Sequence, residues 1–467
     1  MKVTSARTVG ELRESGWVDR SVKEELRQNL MIRMRAGAEL FPGIIGFDRT
    51  VIPALERAIL AGHDIILLGE RGQAKTRLIR RLVDLLDPLS PVIEGCEVND
   101  SPLRPICARC KARLDEDGDT VPIRWIGPAA RYGEKLATPD TAVADLIGDV
   151  DPIKVAEGRY LSDELTIHYG LVPRAHRGIF SVNELPDLPT RIQVSLLNVL
   201  EERDIQIRGY TVRLPLDLLL IASANPEDYT NRGRIITPLK DRFGSEVRTH
   251  YPLTTVDEIA IMDQEAAQPP EGMPVSVPAY LKEVLAEFTR QVRGSSHINH
   301  RSGVSVRFSI ANLETLTASA VRRALRTGEH EAVPRVADLP SVVQSSMGRI
   351  EFEVFEEGRE HEILMRLLSA ALVEVFRDRL VGYDLGPIID RFDEGLEVQS
   401  GDLVASDDLL SQLGELPNLA ALLQRLDVVA ESPAHTASAV EFALEGLHLT
   451  RRLNKHVSSS GIAYGLG

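Results

Sequence analysis

Within this chain of 467 residues, the residues best arranged for chemistry are Gly69-Glu70-Arg71-Gly72-Gln73-Ala74-Lys75-Thr76. They follow a short β-branched apolar run and open an amphipathic stretch. That is the strand-to-helix context in which a glycine loop wraps a phosphate. Successive backbone N–H groups around such a loop bind anions, and the positive end of the helix adds to the field. Lys75 would reach the outer phosphates of ATP, and Thr76 would offer its hydroxyl to Mg2+. Ala74 stands where the usual pattern has a second glycine, which the loop tolerates provided that Ala74 keeps a negative φ.

Three further groups have the residue types that phosphoryl transfer needs. The run Gly178-Ile179-Phe180-Ser181-Val182-Asn183-Glu184 is an apolar strand ending in polar residues, where such a protein holds Mg2+ and the attacking water. Glu184 is the candidate base or water positioner. Asn183 replaces the expected Asp, removing one negative charge near the metal while keeping a carbonyl that can orient a metal-bound water. Asn225 ends the apolar run Leu218–Ala224 and would sense the terminal phosphate. Arg242, in Pro238-Leu239-Lys240-Asp241-Arg242-Phe243-Gly244, has a guanidinium suited to a neighbouring subunit's nucleotide. An ion pair within its own chain is the alternative role.

Strands alternating with helical patterns supply the frame. Apolar runs at 64–68, 179–182 and 218–223 read as buried strands, and helices are expected near 49–60, 75–86 and 191–202. This implies an α/β fold, a parallel sheet flanked by helices. Residues 204–214 read as a β-hairpin. Thr255-Val256-Asp257-Glu258 reads as a helix start and a domain boundary. Beyond it the periodicity is helical throughout. The expected organisation is an N-terminal helical extension over 1–36 and a core over 37–255 with an insert at about 90–177. A helical lid over 256–335 and an acidic helical C-terminal region over 336–467 complete it.

Composition narrows the class. The formal net charge is −15, with 54 Lys+Arg against 69 Asp+Glu. Residues 350–467 hold 21 acidic and 9 basic residues, a balance of −12, so the rest of the chain is close to neutral. That argues against a protein that grips nucleic-acid backbones, but leaves room for one local phosphate site. The N-terminal residues form no apolar signal-type region, and no apolar run is long enough to span a bilayer. A cytoplasmic protein with reduced thiols is expected. The acidic C-terminal region reads as a solubilising cap or a docking surface.

Cys96, Cys107 and Cys110 can supply three thiolates to Zn2+, with Asp100 or Asp115 as a fourth ligand; reduced structural thiols are the alternative. His176 reads as a satisfied polar contact. Arg131-Tyr132-Gly133-Glu134-Lys135 reads as a solvated loop or a contact at a ring pore.

With these motifs in this order, the chain resembles AAA+ ATPases over about Phe41–Ala324, and more narrowly the branch of magnesium-chelatase ATPase subunits and MoxR-type ATPases. Leu171–Phe180 is close to the chelatase run before the Walker B strand, and the Ala-Lys-Thr ending of the loop is MoxR-like. The resemblance implies a P-loop AAA+ sheet with a helical lid, bound ATP and Mg2+, and ATP hydrolysis. It implies sensor roles for Asn225 and for Arg307, with Arg301 as rival, an arginine-finger role for Arg242, and an adenine-site position for the Phe41–Gly46 segment, including Ile45. It also implies a homo-oligomeric ring, a hexamer, and a partner protein with a von Willebrand A metal-binding domain that is remodelled or loaded, with metal insertion as one such process. The alternatives are a nucleotide-gated scaffold with little hydrolysis and a transcriptional activator ATPase. The chain lacks the Gly-Ala-Phe-Thr-Gly-Ala loop of the latter.

Overall fold

The computed structural model describes residues 6–150, 166–201, 205–207, 210–212, 214–226, 234–299, 303–414, 416, 418–428, 432–458 and 461–465. The chain forms two compact units, Met1–His250 and Tyr251–Gly467.

The first unit is built on a five-stranded sheet of β1 (Ile65–Leu68), β2 (Tyr132–Leu136), β3 (Gly178–Asn183), β4 (Leu218–Ala224) and β5 (Ser245–Arg248). The spatial order is β5-β1-β4-β3-β2 and every pairing is parallel. All residues of β1, β3 and β4 are buried, as strands covered on both faces must be. Alternate side chains feed two different cores. Ile65, Leu67, Leu219 and Ile221 pack with Leu26 and Leu30 of α1 (Val22–Arg35), Leu55 and Ile59 of α2 (Val51–Ala61), and Leu78 and Leu82 of α3 (Lys75–Leu82). Ile66, Leu68, Leu218 and Leu220 face the opposite way. They pack with the insert, which includes α4 (Ala108–Asp117), and with Ile192, Leu196 and Val199 of α5 (Thr190–Glu201). The short helix α6 (Thr237–Arg242) precedes β5.

The insert after β1 is an antiparallel hairpin, Ser90–Ile93 with Ile123–Ile126, with α4 in its connection. The N-terminal lead-in packs on it. Val9 N–H donates to Val121 O at 3.0 Å, and Ile123 N–H donates to Arg7 O at 2.9 Å. The expected hairpin at 204–214 is present as Ile205–Ile207 paired with Tyr210–Val212. Residues 131–135 are not a solvated loop. Arg131 is fully buried in a two-pronged pair with Glu25, at 2.7 and 2.6 Å, and Tyr132–Leu136 form the edge strand β2.

The second unit is mainly helical. Helices Ala279–Gly294, Arg307–Thr327, Glu360–Arg379 and Pro433–Leu449 surround Tyr280, Phe288, Phe308, Phe376 and Phe442. Its first helix, Thr255–Glu265, is capped one residue earlier than expected. Thr254, not Thr255, is the N-cap, and its Oγ1 accepts from Asp257 N–H at 3.1 Å. A three-stranded antiparallel sheet of Val398–Ser400, Gly461–Gly465 and Asn454–Ser458 was not foreseen among the helices. Part of the acidic surplus is internal. Glu441 and Arg335 form a fully buried pair at 3.3 Å, and Glu445 accepts from Lys455 at 2.7 Å and from the Tyr464 hydroxyl at 2.5 Å.

Candidate nucleotide-binding and catalytic site

In a parallel sheet the carboxyl ends of the strands all open on one edge, where open α/β folds bind ligands. Gly69 follows β1, Glu184 follows β3, Asn225 follows β4 and Thr249 follows β5, so the candidate residues share that edge. The loop starts from a fixed point, with Gly69 N–H donating to Ala224 O at 3.1 Å. A Cβ on Gly69 would collide with Thr249 Oγ1 and Gln73 Oε1, so only glycine fits there.

Gln73 is buried, and its carboxamide oxygen is the internal brace of the loop. It accepts from Glu70 N–H at 3.1 Å and from the Thr249 hydroxyl at 2.8 Å. Thr249 also docks on β1, donating its N–H to Leu68 O at 2.8 Å. Thr249 was missed in the sequence, where Arg248-Thr249-His250 carries no motif.

Lys75 opens α3, and its ammonium lies inside the loop, donating to Gly69 O and, at 2.7 Å, to Glu70 O. Gly72 has φ 75°. Ala74 departs from its expected negative φ and sits in the left-handed region at φ 55°, ψ 16°. The loop needs that turn to aim the N–H groups inward, and an alanine there bears a steric cost of about 1–2 kcal/mol that glycine would avoid. Arg71 is exposed and Thr76 half-buried. Ile45 is half-buried between Gly43 and Gly46, both of positive φ, in the segment before α2. Nearby, Phe47 meets the His250 ring edge-on at 5.0 Å, and Thr50 Oγ1 lies 2.7 Å from His250 Nε2.

Asn183 is buried at the end of β3 between two partners. Its Nδ2 donates to Glu134 Oε1 at 2.6 Å, and its Oδ1 accepts from the Ser223 hydroxyl at 3.2 Å. Glu134 on β2 therefore brings a carboxylate to the position where Asn183 lacks one. Its other contacts are Tyr132 OH at 3.0 Å and Arg80 at 3.2 and 3.3 Å. Arg80 and Thr76 are four residues apart on α3, so they share one face of that helix. Glu184 is exposed, with its backbone in the left-handed region at φ 56° and its N–H held by Ser223 Oγ at 3.2 Å. A non-glycine residue held there stores roughly 1–3 kcal/mol, a pattern that concentrates at functional positions.

Arg242 closes α6, and its guanidinium pairs with Glu201 of α5 at 2.6 Å, both about two-fifths exposed. The own-chain ion pair therefore exists in this state. A cavity of about 300 Å³ beside the loop is lined by Gly69, Glu70, Gln73, Lys240, Arg248 and Thr249, so two cations and one carboxylate face it. His176 is buried with Nδ1 accepting from Asp217 N–H at 3.0 Å. Burial, reinforced by Arg177, pushes it down to about 3, so it is a neutral structural acceptor. Arg307 is exposed at the start of its helix in the second unit, and Arg301 lies outside the described residues.

Cys96, Cys107 and Cys110 are all buried and free, and they meet at one place with Asp100. Asp115 does not join that group. Among the described residues, no helix is long and apolar enough to cross a membrane.

The sheet order, the strand–loop–helix at 65–82 and the polar residues gathered at the strand ends define a P-loop fold of the AAA+ type. In sequence the chain is similar to magnesium-chelatase subunit ChlI, as the resemblance anticipated. It is 28% identical to that of Nostoc sp. over 257 residues, which is 53% of this chain and 63% of the relative. It is 29% identical to the chloroplastic ChlI-1 of Arabidopsis thaliana over 212 residues, 44% of this chain and 46% of the relative. The chain thus spans less than two thirds of the length of these curated relatives. The family model for the sigma-54 interaction domain matches residues 157–242. Among solved structures, a chain from the complex of subunits BchI and BchD of magnesium chelatase covers 70% of this chain and 98% of its own length, at 20% identity and a TM-score of 0.37. A superposition of that quality carries no functional weight.

Proposed function

We propose that this chain binds ATP with Mg2+ at the 69–76 loop and hydrolyses the terminal anhydride. The observation that carries the reading is the Lys75 ammonium held among the loop carbonyls of Gly69 and Glu70 at the head of α3. The loop fits a polyphosphate: it is braced by Gln73 and Thr249, turns through Gly72 at positive φ, and is backed by a helix N-terminus. Bound Mg2+ would screen the phosphate charge and orient the oxygens for in-line attack. The chain's residues to hold it are Thr76 and, through water, Asn183 and Glu134. Lys75 neutralises the outer phosphates, Glu184 takes a proton from the attacking water, and Asn225 holds that water against the terminal phosphate. Arg242 exchanges Glu201 for the nucleotide of a neighbouring subunit, which requires a ring. Ile45 flanks the base and Arg307 acts as the second sensor.

By kinship with the chelatase subunits, the ring is a homohexamer in the cytoplasm that remodels or loads a von Willebrand A-type partner, with metal insertion as one outcome. The kinship to MoxR-type proteins rests on Ala74-Lys75-Thr76 alone. In the proposed organisation the core covers 37–255, the lid 256–335 and the acidic C-terminal region 336–467.

Phosphate release by the full chain with Mg2+ and ATP tests this, alongside Lys75→Ala and Glu184→Gln. Turnover should fall about 10²–10⁴-fold in Glu184→Gln while nucleotide stays bound. Equal background rates in all three proteins would overturn hydrolysis and favour the nucleotide-gated scaffold, which the neutral Asn183 makes the second reading. The sigma-54 model match covers less than a fifth of the chain and begins well after the phosphate loop, so the activator reading ranks below both.

A further inference from the structure

The three cysteines are the only ones in 467 residues, and the fold brings all of them to one buried point. Cys96 lies in the turn after the strand Ser90–Ile93, its N–H donating to Ile93 O at 3.2 Å. Cys107 is the N-cap of α4 and Cys110 lies in its first turn. Asp100 stands between them in sequence and is completely buried. One ligand atom from each of the four lies within 4.8 Å of the others. A tetrahedral zinc with sulfur at about 2.3 Å requires ligand separations of about 3.8 Å, so small side-chain rotations close the shell.

Two details separate this cluster from ordinary buried thiols. The Cys110 N–H donates to Cys107 Sγ at 3.3 Å, which holds that sulfur at the head of α4. The second is the carboxylate. Asp100 accepts from the N–H groups of Ser101 at 3.1 Å, Ile106 at 2.8 Å and Cys107 at 2.9 Å, which fixes the loop that delivers Cys107. A carboxylate buried beside three thiols is costly unless a cation is present. Soft sulfur donors, one oxygen and no open position suit Zn2+ in a structural role.

We propose that Cys96, Asp100, Cys107 and Cys110 form a closed structural Zn2+ site that staples the insert between β1 and β2. The staple would reach the segment entering β3, because Asn99 in the same loop donates to Arg174 O at 3.0 Å. The site is separate from the phosphate loop, and its test uses no nucleotide.

The full chain, purified without a metal-binding tag from zinc-supplemented cells, is analysed by elemental mass spectrometry. The expected result is roughly one zinc per chain, with all three thiols silent to a disulfide reagent until a strong chelator is added. Cys107→Ser and Cys96→Ser should each lower bound zinc at least about tenfold, and Asp100→Asn should weaken zinc retention against a competing chelator by roughly 10–100-fold. The protection measurement uses the wild-type chain only, so a variant that misfolds does not blunt it. Substoichiometric zinc below about a tenth per chain, with thiols that titrate freely before chelation, would overturn the site, as would iron in place of zinc.

Discussion

Asn183 at the end of β3 donates its amide to Glu134 on the neighbouring edge strand at 2.6 Å, and Glu134 in turn holds Arg80 on the phosphate-loop helix. The negative charge absent from position 183 is thereby restored one strand away. The two strands run in register with Leu136 opposite Asn183, so Glu134 reaches the strand end from within the sheet edge.

Glu134→Gln keeps the shape and the hydrogen bond to Asn183 but removes the charge. ATP turnover at limiting Mg2+ should fall about 10–100-fold, the range for outer ligands of a metal, and recover partly as Mg2+ is raised. Adding Asn183→Asp to that variant should restore the Mg2+ requirement of the wild type. An Mg2+ titration of phosphate release that is identical in wild type and Glu134→Gln would remove Glu134 from the site.

The observed own-chain ion pair of Arg242 and its proposed contact with a neighbouring subunit's nucleotide separate experimentally. Its pair with Glu201 is half in solvent and contributes under about 1 kcal/mol to stability. Arg242→Ala should therefore unfold at nearly the wild-type denaturant midpoint, yet lose roughly 10³-fold in turnover at protein concentrations that support assembly. Glu201→Ala should keep its turnover. If both variants behave alike, Arg242 is only an internal partner.

Ala74 predicts a ranking rather than a single value. Ala74→Gly removes the left-handed penalty of about 1–2 kcal/mol but adds roughly 0.5–1 kcal/mol of unfolded-state entropy, for a net change between neutral and about 1.5 kcal/mol more stable. Ala74→Val brings a branched side chain to φ 55° and should destabilise by more than about 2 kcal/mol. Chemical denaturation of the three proteins orders them; valine equal to alanine would contradict the observed φ.

His176 ties stability to acid pH. Its folded value lies near 3, well below the ordinary 6.5, because burial disfavours the charged ring. Above about pH 6.5 neither the folded nor the unfolded state takes up a proton at this site. As pH falls below that, the unfolded chain binds one and the folded chain does not, so stability drops by up to about 1.4 kcal/mol per pH unit until pH 3. His176→Gln should have a flatter stability profile between pH 6.5 and 4.5, measured by denaturant melts. Parallel profiles would mean that His176 does not titrate this way.

Where the sequence was readable, one local signal carried the element. The β1 run Ile65–Leu68 and the glycines beside it announce a strand and a phosphate loop, and β3 and β4 are continuous apolar runs. Glu134 was hidden because edge strands are short and half-polar: Tyr132-Gly133-Glu134-Lys135 has the composition of a loop. The only available cue was Tyr132 and Glu134 sharing one face at a spacing of two. Thr249 was hidden for another reason, since its partner Gln73 is distant in sequence and only β5 lying beside β1 joins them. The three strands at Val398, Asn454 and Gly461 are brief segments with little apolar pattern, paired across long sequence gaps that periodicity does not register.

The lead-in segment Arg7–Val9 lies along Val121–Ile123, with Thr8 bridged antiparallel to Pro122. That contact occupies backbone groups which the Ser90–Ile126 hairpin would otherwise leave as a bare rim. An uncovered rim of this kind invites a strand from another molecule and so seeds aggregation. The few residues ahead of the helix Val9–Glu14 thus close one side of the insert to strand addition by another copy of the chain.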